Sequence, residues 1–247
     1  MSTQLVLTII RHGETNHNVN HILQGQTDTR LNKVGMEQAE LVGRRLRKVN
    51  FHHIYTSDLS RAKKTAEAIA QYHKDVPLTT DTRLREKDFG RLNNLSIHAA
   101  LNLIKTEDGS WEDYGESKET FSLRVVSFFQ EIISKHLPST DAIETPKKTT
   151  HICVVTHGGV INRFVKEYLI MELGFFVKDY KSIQHKPKNS SITKVILTKM
   201  GEGEDEAKEG HEELKIEGDV QLWSDVSHLS KFDKKTRGDT AIDDYVH

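Results

Sequence analysis

The sequence predicts an α/β fold, a three-layer α/β/α sandwich around a mostly parallel central sheet, and three observations predict it. Two short apolar runs, residues 5–10 and 151–156, are rich in β-branched residues and barely alternate, as strands buried on both faces of a parallel sheet do. Stretches with apolar residues at helical spacing separate the strands, and that alternation implies right-handed crossovers with helices covering both faces. Both buried runs also end in a histidine followed by a glycine, His12-Gly13 and His157-Gly158, which puts the pair on one rim. In such sheets, ligands sit beyond the carboxyl ends of the strands.

The elements follow in order. The first strand stops at Arg11-His12-Gly13-Glu14-Thr15. Across residues 31–49, Val34, Leu41, Val42, Leu46 and Val49 recur at helical spacing with charge between them, so an amphipathic helix is expected. Ile54-Tyr55-Thr56 reads as a short strand, and Ser57 and Asp58 read as capping residues of a helix running to about Tyr72. Residues 87–118 mix Asn, Gly, Ser, Trp111 and Tyr114 without a sustained period, and are expected to be helical pieces and a loop covering the substrate. Residues 124–137 read as a helix, residues 151–156 as the second buried strand, the apolar run up to Leu173 as a helix, and residues 192–197 as a further strand. Residues 201–213 are dominated by Glu and Asp and read as a solvated acidic loop. With no internal repeat or linker, residues 1–247 are expected to form a single domain.

Composition narrows the class. Hydrophobic residues are 36% and charged residues 29%, and 15 glycines and 4 prolines are too few for a collagen-like or wholly disordered chain. The 35 basic side chains against 36 acidic ones leave no global field to hold nucleic acid or a membrane surface, so neither partner is expected. Mean hydropathy is polar at -0.57. A lone Cys153 allows no internal disulfide and no Cys/His quartet for structural zinc. The first residues lack a signal-peptide pattern, and no apolar run approaches the roughly 18 residues needed to span a bilayer. A cytoplasmic, soluble protein is expected, and its oligomeric state is left open.

Arg11 and Arg61 lie just beyond strand ends, beside His12 and His157. Two arginines and two histidines repel a metal ion, whereas forked guanidinium groups suit a phosphoryl group, so the expected ligand is a small phosphorylated metabolite with no metal and no cofactor. Taken singly, each of these residues has a plainer role. A lone strand-end histidine is usually a cap or surface group, Arg61 could pair with Glu67, and Glu86 could be a surface acid. Trp111, Tyr114, Phe128 and Phe129 read as core or covering-segment packing. Glu14 reads as a residue that orients its loop, and Cys153 as an inert small hydrophobe.

The chain resembles the histidine phosphatase, or phosphoglycerate-mutase-like, superfamily. The resemblance rests on Arg11-His12-Gly13-Glu14-Thr15 with Asn18, on Leu23-Gln24-Gly25-Gln26 with Asp28, and on Ser57-Asp58-Leu59-Ser60-Arg61-Ala62 with Thr65. Leu84-Arg85-Glu86 with Phe89-Gly90, and Thr156-His157-Gly158-Gly159, complete it in the expected order. Within the superfamily the chain looks most like small phosphatases of the broad-specificity and TIGAR-like fructose-2,6-bisphosphatase types. The resemblance implies that His12 attacks phosphorus to give a phosphohistidine. It implies that Arg11, Arg61 and His157 surround the equatorial oxygens and that Glu86 protonates the leaving group, then activates water. Asn18, Gln24, Gly25 and the Gly158 N–H would bind the same phosphate.

Two other activities compete with hydrolysis. A phosphoglycerate mutase would return the phosphoryl group to product, but mutases of this family carry a Gly-Leu-Asn-Lys run where this chain has Arg91-Leu92-Asn93-Asn94. An inactive phosphate-binding module would have lost the nucleophile or the acid, and both His12 and Glu86 are present. The chain departs from many relatives in carrying Asn162 where they have arginine, with Arg163 one step on, about 100° around an α-helix. In the covering segment, Lys87, Arg91, Lys105 and Lys118 are interspersed with acids, which favours broad or monophosphate specificity over a dedicated bisphosphatase. Arg163, Lys186 and Lys188 are the further cations that folding could bring to the site.

Overall fold

A computed structural model describes residues 4–137, 149–199 and 216–232. In chain order the elements are β1 (Gln4–Arg11), α1 (Asn16–Val19), α2 (Lys33–Leu46), β2 (His53–Thr56), α3 (Ser60–Ala70) and β3 (Leu78–Thr80). Then come α4 (Ile97–Thr106), α5 (Lys118–His136), β4 (Thr149–Thr156), α6 (Gly158–Ile161), β5 (Phe176–Val177), β6 (Ile192–Lys199) and β7 (Ile216–Asp225). Among the described residues the sheet runs in the order β3-β2-β4-β1-β6-β7-β5. β6 pairs antiparallel with both neighbours and the remaining pairs are parallel, so the sheet is mixed but mostly parallel, with helices on both faces.

The period-two geometry of the central strands explains their uninterrupted apolar runs. Leu5, Leu7 and Ile9 of β1 and Ile152 and Val154 of β4 pack on one side against Phe128, Phe129, Ile132 and Phe164. Ile10, Cys153 and Val155 face the other side, against Val42, Leu46, Ala62, Ala66 and Ile69 from α2 and α3. Each such fully buried aliphatic side chain contributes about 1.5–3 kcal/mol, which is why apolar residues fill both faces along the middle of β1 and β4. Phe128 and Phe129 are therefore core residues, and Cys153 is too, its thiol pKa pushed up by burial alone.

Residues 87–118 have the expected broken character. They hold a short 3-10 turn at Gly90–Leu92, α4, and another turn at Trp111–Asp113. Leu23, Phe89, Leu92, Ile97, Ala100 and Tyr114 give them a small core of their own, and Trp111 packs edge-on to Phe89 at 6.0 Å.

Several expectations need correction. Residues 31–49 form a shorter helix, α2, capped by the Asn32 side chain. Ser57 and Asp58 do not cap α3. Leu59 is the N-cap, with no side-chain cap bond, and the free N–H of Ser60 is taken by Asp28 at 2.6 Å from a loop 32 residues away. Asp58 pairs instead with Arg85. The helix of residues 124–137 starts earlier, at Lys118, because Ser117 caps it. The run to Leu173 is α-helical only through α6 and then π-helical over Asn162–Glu172, where Asn162 Nδ2 donates to Glu167 Oε1 at i+5 spacing. Strands β3, β5 and β7 are additions to the expected set. The acidic loop at 201–213 lies outside the described residues. Among the described residues, no helix is long and apolar enough to cross a membrane.

Candidate active site

Strand register builds the site. β1 and β4 are paired with Arg11 opposite Thr156, so the next residue of each strand leaves the sheet beside the other. The His12 N–H donates to the Thr156 carbonyl at 2.9 Å, and the His12 and His157 rings lie 5.1 Å apart between centroids, tilted by 58°. β2 ends one step back, with Thr56 opposite Val155, which brings Ser57 to the rim with its Oγ 3.0 Å from His157 Nε2. Because β6 is antiparallel, its first residue, Ile192, faces Ile10, and the turn before it reaches the same rim. There Asn189 Nδ2 donates to the His12 carbonyl at 3.0 Å, and the Ser190 N–H donates to the Arg11 and His12 carbonyls.

The His12 ring is fixed by one bond. Its Nδ1 lies 2.7 Å from the Gly13 carbonyl oxygen. A carbonyl only accepts, so Nδ1 carries the proton and Nε2 keeps its lone pair. Burial, with Arg61 and then Arg11 nearby, holds the pKa of this ring well below the usual histidine value. His157 is fully buried and is held low in the same way, by burial first and then by Arg61. Both rings are therefore neutral at neutral pH, and the positive charge of the pocket sits on the arginines.

Arg61 is 1% exposed, and its guanidinium is spread by donation to the carbonyls of Thr27 at 2.8 Å and Gly25 at 2.7 Å. Burial pushes its pKa down to about 10, against the pull of Glu86 and Asp28, so it stays cationic at neutral pH. It makes no pair with Glu67, which bonds Lys64 instead. Arg11 donates to the Pro187 carbonyl at 2.6 Å. Thr65 links the two motifs, accepting from the Gly13 N–H and donating to the Arg61 carbonyl.

The neutral donors are oriented by their carbonyl ends. Gln24 Oε1 accepts from the hydroxyls of Thr15 and Thr29, and Asn18 Oδ1 accepts from the Thr15 N–H, which leaves the amide NH₂ of each as the outward donor. Gly25 uses its carbonyl on Arg61. Gly158 lies against Arg11, whose guanidinium carbon would be 3.4 Å from an added Cβ. Gly13 is required by packing. A Cβ there would meet the Gly35 carbonyl oxygen at 2.5 Å, because the start of α2 packs on the rim loop. Glu14 orients that loop by accepting from Asn32 Nδ2 at 2.8 Å.

Glu86 is held at both oxygens. Oε1 accepts from the Lys87 N–H at 2.9 Å and Oε2 from the Gly159 N–H at 3.0 Å. Gly159 is obligatory for this contact, since a Cβ would lie 2.3 Å from Glu86 Oε1. Among the described residues, no three His, Cys, Asp or Glu side chains converge where a metal could be held. The rim combines a neutral imidazole with a bare Nε2, a second neutral imidazole, two guanidinium groups and one carboxylate.

Residues 7–205 match the family model described as histidine phosphatase superfamily (branch 1). The chain belongs to this superfamily. A probable phosphatase of Schizosaccharomyces pombe is 30% identical over 222 residues, covering 90% of this chain and 93% of the relative. Fructose-2,6-bisphosphatase TIGAR of Xenopus tropicalis is also 30% identical, over 79% of this chain and 87% of the relative. Among solved structures, a phosphoglycerate mutase from Bacillus anthracis shares the fold, with a TM-score of 0.69 at 24% identity over 93% of this chain and 97% of that one.

Several residues of this histidine phosphatase fold were not singled out for the site from sequence. Thr65 stood inside a quoted motif without a role, and Ser57 was read there as a helix cap. Asn189 and Ser190 precede a strand whose direction the sequence does not give. Arg124 is the largest omission. It donates to the carbonyls of Arg83, Arg85 and Glu86 at 2.6 to 2.9 Å, and pairs with Glu116, which also accepts from the Asp88 N–H. The backbone carrying Glu86 is thus clamped from α5.

The buried histidines set a pH dependence of stability. His12 and His157 have depressed folded-state pKa values, so their contribution is fully present above the unfolded value of about 6.5 and is lost as pH falls below it. Taking up protons only in the unfolded chain, the two together are expected to cost about 2 kcal/mol of stability between pH 6.5 and 5.5. Urea unfolding at pH 7.5, 6.5 and 5.5 measures this, and a stability that is flat or rises towards pH 5.5 contradicts it.

Proposed function

We propose that this protein is a metal-independent phosphatase that hydrolyses small phosphorylated metabolites through a phosphohistidine on His12. One observation carries the reading: the Nδ1–H of His12 is bound to the Gly13 carbonyl, so a neutral ring turns a free Nε2 lone pair into a pocket whose charge is two guanidinium groups. In this reading Nε2 attacks phosphorus in line while the ester oxygen departs opposite and takes a proton from Glu86. Arg11, Arg61 and His157, with the amides of Asn18 and Gln24, Gly25 on the loop that holds Arg61, and the Gly158 N–H, face the equatorial oxygens, where charge spreads in the transition state. Glu86, now a carboxylate, takes a proton from water as the water oxygen bonds phosphorus. The P–N bond breaks, phosphate leaves, and Nε2 recovers its lone pair.

The expected result with purified protein is accumulation of inorganic phosphate from phosphomonoesters, without a bisphosphate primer and undiminished by a chelator. Isomerised phosphoester without free phosphate would assign the mutase activity instead. Binding of phosphate with no turnover of any ester would assign a binding module.

A TIGAR-like fructose-2,6-bisphosphatase is the second reading, favoured by the similarity to that relative. Against it, two of the candidate cations are engaged. Arg91 is paired with Glu107 and stacks on Tyr114, and Arg163 is paired with Glu172. Broad or monophosphate specificity is therefore expected. A preference of a hundredfold or more in kcat/KM for fructose 2,6-bisphosphate over sugar and small-acid monophosphates, about 2.7 kcal/mol of selective transition-state binding, reverses this choice.

A further inference from the structure

The two rim histidines differ in what holds them. For His12 a carbonyl oxygen fixes the proton on Nδ1 and frees Nε2. For His157 the partner is a hydroxyl, Ser57 Oγ, 3.0 Å from Nε2, and a hydroxyl can donate or accept. The surroundings of Ser57 settle the direction. The residue is fully buried, and its Oγ lies 3.3 Å from the Leu59 backbone nitrogen. Among the described residues, Leu59 and His157 are the two hydrogen-bond partners of this hydroxyl. A backbone N–H only donates, so Oγ accepts from Leu59 and its own hydrogen goes to His157 Nε2. Burial, with Arg61 nearby, keeps the His157 ring neutral, with one proton to place. With Nε2 as acceptor, that proton sits on Nδ1.

His157 Nδ1 has a second peculiarity. It is buried, yet among the described residues it makes no hydrogen bond. His157 is the N-cap residue of α6, and no backbone N–H of that turn donates to its side chain. An unprotonated Nδ1 could accept such a bond, whereas a protonated one cannot. A buried N–H without an acceptor carries a desolvation cost that a phosphoryl oxygen bound on the same rim would recover.

The geometry points to Ser57 as a positioning residue of the reaction: its hydroxyl locks His157 in the Nδ1–H tautomer, so that this ring offers the phosphoryl group a neutral hydrogen-bond donor. This role rests on the phosphatase reading above. Both rim rings then carry the same tautomer and turn opposite atoms to the ligand. His12 presents a lone pair to phosphorus, and His157 presents an N–H to an equatorial oxygen. The other tautomer of His157 would set a lone pair against the anion, and the two would repel.

The test reads the tautomer directly, by NMR of the imidazole nitrogens in wild-type protein labelled on histidine, with the His157 signals assigned from its backbone. At neutral pH His157 Nδ1 should be protonated and Nε2 unprotonated, and added inorganic phosphate should shift the Nδ1–H signal. In Ser57→Ala the Nε2–H tautomer should become populated. Its kcat should fall about ten- to hundredfold, less than the loss of a whole oxyanion donor because the tautomer shifts only in part. The fall should be the same for p-nitrophenyl phosphate and 2-hydroxyethyl phosphate, since His157 serves the equatorial oxygens and not the leaving group. Ser57→Thr retains the hydroxyl and should restore the Nδ1–H tautomer with part of the rate. Four results overturn the inference: an Nε2–H tautomer in the wild type, an Nδ1–H signal indifferent to phosphate, wild-type kcat in Ser57→Ala, or a slowed Ser57→Ala that keeps the Nδ1–H tautomer. The wild-type spectra need no variant, so misfolding of Ser57→Ala leaves them decisive. Turnover by a wild type in the Nε2–H tautomer defeats only the role of Ser57, whereas no turnover of any ester defeats the phosphatase reading with it.

Discussion

His12→Ala is expected to lower kcat by about four to six orders of magnitude while phosphate binding remains measurable, because loss of a covalent nucleophile removes the reaction path and leaves the anion site. The geometry separates the two functions. Arg61 is anchored on the Thr27 and Gly25 carbonyls and Arg11 on the Pro187 carbonyl, and none of those bonds passes through the His12 ring. Calorimetric binding of inorganic phosphate should therefore survive in the variant. In the wild type, label from a phosphorylated substrate should be acid-labile and base-stable, and should map to His12 alone. Because the ring is neutral well below pH 6.5, kcat/KM should show no loss from His12 protonation as pH falls to 6.5. Turnover by His12→Ala near the wild-type rate, or label on a serine or on Cys153, would remove the phosphohistidine mechanism.

What the sequence disclosed and what it hid have separate physical causes. His12 and His157 were legible because β-branched apolar runs fix two parallel strands, and a residue just past the end of each must reach the same rim. Their adjacency to 5.1 Å followed from register, which neighbouring parallel strands of equal length leave little room to change. Arg124 was illegible for the opposite reason. It bonds three carbonyls about 40 residues away, and a guanidinium reaching main-chain oxygens leaves no trace in the residue types it touches. The cap of α3 was misread similarly, since Ser57 and Asp58 fit the local pattern while the real acceptor, Asp28, arrives through the tertiary fold. Asn189 depends on the antiparallel direction of β6, and strand direction has no signature in an eight-residue stretch of mixed aliphatic, Thr and Lys residues. The position of Arg163 relied on α-helical rotation and the chain is π-helical there, a change of repeat that apolar periodicity did not reveal.

Glu86→Gln should slow alkyl phosphates by about two to four orders of magnitude and aryl phosphates with acidic leaving groups far less, because a good leaving group needs no proton. The variant also has a structural cost to separate from the chemical one. Both carboxylate oxygens accept backbone N–H bonds, from Lys87 and Gly159, and a glutamine offers one oxygen and one NH₂, so one of those donors loses its acceptor. Displacement alone would slow every substrate alike. Arg124→Gln supplies that comparison, since it loosens the backbone that carries Glu86 and leaves the carboxyl in place. The expected pattern is a steep dependence of kcat/KM on leaving-group pKa in Glu86→Gln and an unchanged dependence, at a uniformly lower rate, in Arg124→Gln. The second half-reaction adds a further readout. Without a carboxylate to take a proton from water, the phosphoenzyme formed from aryl phosphate should persist in Glu86→Gln, giving a burst of one aryl alcohol per site before slow turnover. Parallel slopes in the two variants, with no burst, would make Glu86 a positioning residue and leave the proton donor to be found elsewhere on the rim.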